Sequence, residues 1–128
     1  MYAVNLADVL DLIGYHQATI TADGLSAAID LQAYEGQLAA LIMTPGSTGN
    51  ANNTIDVAIY ECDTSGGSYT AATGGAFTQI GYNTASQQKI SIDKTKLKRY
   101  VKFNFDVSGT SPSYAVACAL LGAKKNPA

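Results

Sequence analysis

Most of this chain alternates apolar and polar residues with a period of two, the spacing that turns one face of a β-strand toward a core. The alternation is clearest near the C-terminus, where Val101, Phe103, Phe105 and Val107 are separated by polar residues. Residues 114–120 repeat it after a turn rich in Ser, Gly and Thr. These two stretches therefore predict strands joined by an exposed connection.

Shorter alternating stretches precede them at 17–21, 27–33, 55–59, 77–80 and 90–92. Residues 37–44 differ, because they are apolar on both faces, which is typical of a central strand covered on both sides. About eight short strands at this spacing predict an all-β fold, either an antiparallel β-sandwich or a jelly-roll-like barrel. Alternation of this kind argues against a parallel α/β sheet.

The N-terminal segment has a different period. Four apolar residues recur at helical spacing, and this spacing predicts one short amphipathic helix that ends at Gly14. We therefore divide the chain into an N-terminal arm, 1–14, and a β-sandwich domain, 15–128. The arm would pack on its own sheet or lie on a neighbouring subunit, and its additional apolar surface favours the neighbour. Its candidate contact residues are Leu6, Val9, Leu10 and Ile13.

The reverse face of the last predicted strand consists of Ala115, Ala117 and Ala119. Solvated strand faces usually carry Thr, Lys, Glu or Gln, whereas alanine contributes little strand propensity. Three alternate alanines form a flat surface against which another element packs closely. We prefer the protein's own arm or second sheet as that element, and another subunit is the alternative.

Composition supports a single folded domain. The chain has 128 residues, of which 47% are apolar and only 14% charged, against about a quarter in an average domain. This composition excludes a disordered chain, and a net charge of −2 argues against broad nucleic-acid binding. No apolar run approaches a membrane span, and the N-terminus lacks the basic segment of a signal peptide. We expect synthesis in a cytoplasm.

Charge is divided sharply along the chain. Residues 1–88 carry eight acids and no lysine or arginine, whereas residues 89–128 carry eight bases and two acids. The two parts therefore have net charges of −8 and +6. Such a division provides complementary surfaces for docking, unless the two parts neutralise each other inside one fold.

The sequence offers few residue patterns that are typical of a catalytic site. His16 is the only histidine, and no nucleophile-elbow sequence lies near it. Asp56 and Glu61 would point to opposite faces of one strand, which does not suit paired-carboxylate catalysis. Cys62 and Cys118 do not stand at metal-ligand spacing, and two cysteines favour free thiols. We expect no enzyme activity, no catalytic residue, no cofactor and no metal.

Tyrosines provide the strongest alternative to a purely structural role. The chain has eight tyrosines and no tryptophan, and Tyr60 and Tyr100 are predicted on outward strand faces. Exposed aromatic rings can stack on sugars, as in carbohydrate-binding β-sandwiches. The tyrosines are scattered, however, so packing explains most of them more simply.

Six segments, taken in order, carry a resemblance to a known family. They are AIDL at 28–31, IDVAI at 55–59, ISID at 90–93, LKRYVK at 97–102, VSGTSPSY at 107–114 and LLGAKK at 120–125. Together they look like a group of small tailed-bacteriophage structural proteins, several of which resemble capsid decoration, or cement, proteins. The resemblance extends from about Ala18 to Lys125.

The resemblance implies a virion protein that forms homodimers or homotrimers and binds the major capsid protein on the outer surface of the head, after synthesis in the bacterial host. The basic stretch 94–102 would supply assembly contacts, or would simply be a solvated strand face. Its candidate residues are Lys98, Arg99 and Lys102. The alternative function is a tail or receptor-side carbohydrate-binding module on the same fold.

Overall fold

A computed structural model of the chain describes residues 10–124, except for the side chains of Thr48 and Lys124. Seven long strands and three two-residue strands make up this part of the chain, with one 3-10 turn at Lys94–Lys96. The long strands are β1 (Asp11–Ile20), β4 (Tyr34–Thr44), β6 (Thr54–Cys62), β7 (Thr70–Ala76), β8 (Ser86–Asp93), β9 (Tyr100–Ser108) and β10 (Ser113–Lys124). The short strands are β2 (Gly24–Leu25), β3 (Ile29–Asp30) and β5 (Ser47–Thr48).

The strands form two antiparallel sheets, which confirms the predicted β-sandwich. The first sheet has the order β1-β10-β4-β8, and β5 adds to β10. The second has the order β2-β9-β6-β7, and β3 adds to β9. The last two long strands, β9 and β10, therefore belong to different sheets, so their connection crosses from one layer to the other.

The core lies between the two sheets, and the alternation identifies its members correctly on β9 and β10. Inward residues of these two strands are almost completely buried, as the period of two requires. They are Val101, Phe103, Phe105, Tyr114, Val116, Cys118 and Leu120. The Tyr114 hydroxyl donates to the carbonyl oxygens of Ile80 and Gly81, so its polar end is satisfied within the core.

The predicted N-terminal helix does not extend over residues 11–14, which belong to β1 and pair with β10. A β-bulge between Leu12 and Gly14 shifts the alternation by one residue near the start of this strand. Gly14 lies inside β1 and does not end a helix, and a Cβ there would lie 2.7 Å from Ile29 Cδ1 on the second sheet. The candidate arm residues Leu6 and Val9 lie outside the described residues.

Strand β4 is central, as its apolar run predicts, but it is not covered on both faces. Leu38, Ala40 and Ile42 are buried between the sheets. On the other side of the strand, Leu41 is only partly buried and Met43 is 53% exposed. The described chain therefore leaves one apolar face of the first sheet open.

Candidate functional site: two assembly surfaces

Side chains on the outer face of the first sheet line up in three rows across its four long strands. Each row contains one residue from β1, β10, β4 and β8, in that order. The rows are Leu12–Leu121–Ala39–Ser91, Tyr15–Ala119–Leu41–Lys89 and Gln17–Ala117–Met43–Gln87. We call these twelve residues the alanine face, and Lys89 is the only charged residue among them.

The alanine face exposes large apolar side chains on β1 and β4, on either side of the alanines of β10. Tyr15 is 72% exposed, Leu12 55% and Met43 53%. Ala117 and Ala119 form a low strip along β10, because their methyl groups extend less far from the sheet than the larger side chains on β1 and β4. The result is a shallow trough about 10 Å wide, two strand spacings across. A cavity of about 510 Å³ lies over this part of the sheet.

Ala117 and Ala119 belong to the alanine face, and Ala115 lies next to it on the same side of β10, opposite Thr19. Ala115 is exposed, and Ala117 and Ala119 are partly exposed. The second sheet, one of the two partners expected for them, packs on the opposite side of β10, against Tyr114 and its inward neighbours. Of the arm, the other expected partner, residues 1–9 lie outside the described residues. Contiguous exposed apolar surface is uncommon on monomeric proteins and is typical of interaction sites.

The predicted basic residues lie on the other side of the molecule, at the start of β9 in the second sheet. Arg99 is already engaged there, since its Nε and Nη2 donate to the Asp30 carboxylate at 3.1 and 3.0 Å. This hydrogen bond from Arg99 holds the pKa of Asp30 below its usual value. Both side chains are more than 40% exposed, so solvent weakens the attraction between them and the pair contributes little to stability.

Lys98 and Lys102 make contacts of a different kind. The Lys98 side chain is exposed, although its backbone N–H donates to Glu61 Oε1 at 3.1 Å. Lys102 Nζ lies 4.5 Å from the centroid of the Tyr69 ring, a cation–π contact. Lys98, Arg99 and Lys102 thus form one basic end, which the alanine face does not touch.

An acidic cluster lies toward the opposite end of β9, and sequence reasoning did not find it. Asp56 and Asp106 are directly opposite each other on β6 and β9. Nearby Asp23 accepts the Val107 N–H at 2.8 Å. The pKa of Asp106 is raised, mainly by the negative charge of Asp23, then by burial, a hydrogen bond with Asp23 and the charge of Asp56. The second sheet therefore carries basic side chains near the start of β9 and acidic side chains toward its other end.

The remaining candidates are dispersed. Ile13 packs against the core, and Leu10 is 39% exposed just before β1. Cys118 is buried, which raises its pKa to about 12, whereas Cys62 is partly exposed, and both are free thiols. Within residues 10–124, no group of three or more His, Cys, Asp or Glu side chains is arranged to hold a metal ion. The described part of the chain contains no helix long and apolar enough to span a bilayer.

Comparison with known proteins connects this fold to phage-derived proteins. No protein-family model and no curated protein matches the sequence. The SPBc2 prophage-derived protein YomS has a similar structure, with a TM-score of 0.51 and 14% identity, over 94% of this chain and 99% of YomS. The PBSX exported protein XepA has a TM-score of 0.55 and 12% identity, over 99% of this chain.

The chain spans only 41% of XepA, so it corresponds to one part of that longer protein. Both neighbours are phage-derived, in agreement with the resemblance to phage structural proteins carried by the six segments. At 14% and 12% identity the likeness concerns the fold alone.

Proposed function

We propose that this chain is a structural protein of a bacteriophage virion, a decoration or cement protein that binds the outer surface of the assembled head. The observation that carries the proposal is the alanine face, a nearly uncharged surface that the described chain leaves open. Phage-derived neighbours with the same fold support a phage context. A non-enzymatic role is part of this proposal, and the phage-derived neighbours support it.

The size of the alanine face explains why such a protein would act in several copies. Four strands about 4.8 Å apart and three rows about 7 Å apart cover roughly 400 Å². A stable interface usually buries about 800 Å² on each partner. One alanine face is therefore a weak binding site by itself, and an oligomer that grips several capsid subunits gains by multivalency.

Capsid binding is tested by co-sedimentation with purified empty heads. Ala117→Lys places a charge on the low strip of the alanine face, where binding would have to desolvate it. We expect the apparent Kd for heads to rise at least tenfold. Ala58→Lys is the matched control, because Ala58 is partly exposed on the outer face of the second sheet. Equal binding by the two variants would refute this use of the alanine face.

A carbohydrate-binding module is the second candidate, and Tyr15 supports it. Its ring is 72% exposed beside the trough, and Gln17 and Gln87 supply hydrogen-bonding amides in the neighbouring row. Tyr60 and Tyr100, the tyrosines selected from the sequence, are only partly exposed. A glycan array probed with the wild-type chain and Tyr15→Ala separates the two functions: binding that depends on Tyr15 supports the module, and capsid co-sedimentation without glycan binding supports the cement protein.

A further inference from the structure

Three of the four sheet edges are interrupted or flanked by other chain segments. Strands β2 and β3 have two residues each, and β7 contains the pair Gly74 and Gly75. Thr78 lies beside β8 and binds the Gln88 side chain of that strand. Its backbone N–H donates to Gln88 Oε1 at 2.8 Å, and its carbonyl oxygen accepts from Gln88 Nε2 at 2.9 Å. These features resemble the devices by which natural sheets prevent edge-to-edge pairing.

Strand β1 lacks these devices. It is ten residues long, and no described strand pairs with its outer edge. The sequence from 12 to 22 contains no charged residue and no proline. The bulge is confined to the beginning of the strand, so residues 14–20 follow β10 in an unbroken register. A long, regular and uncharged edge presents backbone donors and acceptors to any second strand.

We propose that two copies of this chain pair antiparallel through β1 and join their first sheets into one continuous sheet of eight long strands. A two-fold axis through the regular segment 14–20 passes at Gln17, its middle residue. Gln17 then faces Gln17 of the second copy, and Tyr15 faces Thr19. The strand meets itself without opposing like charges, and aromatic–β-branched pairs are favourable across antiparallel strands.

The strand that pairs with β1 comes from a second copy of this chain, because the alanine face ends at β1 and the pairing continues it into the same face of that copy. Leu12, Tyr15 and Gln17 are the β1 members of the alanine face, so the two faces become neighbours across the two-fold axis. Together they cover roughly 800 Å², the area of one side of a standard interface. The pairing deepens the self-association in the proposed function, but its test needs no capsid. It can therefore fail while capsid binding stands.

The test is sedimentation equilibrium of the full chain at micromolar to millimolar concentrations. We expect a dimer for the wild type and at least a tenfold rise in the dimer dissociation constant for Gln17→Lys, which opposes two lysines across the axis. Gln87→Lys is the matched control, because Gln87 is exposed in the same row but on β8. It should dimerise like the wild type, and both variants should unfold at the wild-type temperature when all three chains are diluted to the monomeric state.

A charge swap tests the register itself. Gln17→Glu should also weaken the homodimer, whereas an equimolar mixture of the Gln17→Glu and Gln17→Lys chains should restore dimers by opposing unlike charges. Failure of the mixture to associate, or equal weakening by Gln17→Lys and Gln87→Lys, would overturn the pairing. A monomeric wild-type chain would overturn it as well and leave the β1 edge to a strand from another protein.

Discussion

At the scale of single residues, the acidic cluster shows how the fold creates an electrostatic cost that the sequence conceals. Asp23, Asp56 and Asp106 are far apart in sequence but meet on the outer face of the second sheet. Like charges directly opposite each other on neighbouring strands are destabilising. The raised pKa of Asp106 is the signature of that repulsion, with the charge of Asp23 as its largest cause.

Removing the Asp106 charge should therefore stabilise the protein near neutral pH. A folded carboxyl with a raised pKa binds its proton more readily than in the unfolded chain, so the folded state loses stability as pH rises above about 4. We expect Asp106→Asn to raise the Tm at pH 7 by about 1–4 °C, with the gain disappearing by about pH 3. Glu35→Gln, which removes an exposed carboxylate on β4, is the control. A pH-independent gain would contradict the electrostatic explanation.

At the scale of elements, β1 shows why a helical period was misleading. Leu10 and Ile13 are three residues apart, which fits one face of a helix, but Leu10 is exposed just before β1 and Ile13 packs against the core. The spacing alone is therefore compatible with a helix or a strand. Two long-range features decide between them: hydrogen bonding to β10 and the close approach of Ile29 to Gly14. Neither is encoded within the segment itself, so local periodicity could not identify the strand.

Two N-terminal truncations distinguish the arm from the sandwich. Deleting residues 1–9 leaves all of β1, so we expect little change in the free energy of unfolding. Deleting residues 1–14 also removes four residues of β1 and the packing of Ile13 on the core. That deletion should reduce the free energy of unfolding by about 1–3 kcal/mol in urea denaturation. Equal losses in the two variants would show that residues 1–9 contribute to the core.

At the scale of the whole molecule, the two surfaces lie on opposite sides of the sandwich and differ in character. The alanine face offers apolar area, whereas the second sheet carries a basic end and an acidic cluster. Apolar burial supplies most of the binding free energy, while exposed charges mainly guide encounter and orientation. Arg99 contributes less than its charge suggests, because Asp30 already neutralises it.

Reversing the two remaining charges of the basic end should affect capsid binding in a salt-dependent way. We expect Lys98→Glu with Lys102→Glu to weaken co-sedimentation with heads at least tenfold at about 0.01 M salt and to match the wild type near 1 M, where the screening length is about 3 Å. Arg99 is left unchanged to preserve its pair with Asp30. The arginine pair, Lys98→Arg with Lys102→Arg, keeps the charge and should bind normally. Unchanged binding of the glutamate variant at low salt would exclude the basic end from the capsid contact.

The sequence by itself determined the all-β class, most strand positions and the inward residues of β9 and β10, because alternation is a local property of each strand. It also identified the row of alanines. Only the tertiary structure decided which strands pair, that the alanines and Met43 share an open face, and that β1 forms an unprotected edge. These features depend on contacts between residues distant in sequence, and a period of two specifies the face on which a side chain lies but not the element that covers it.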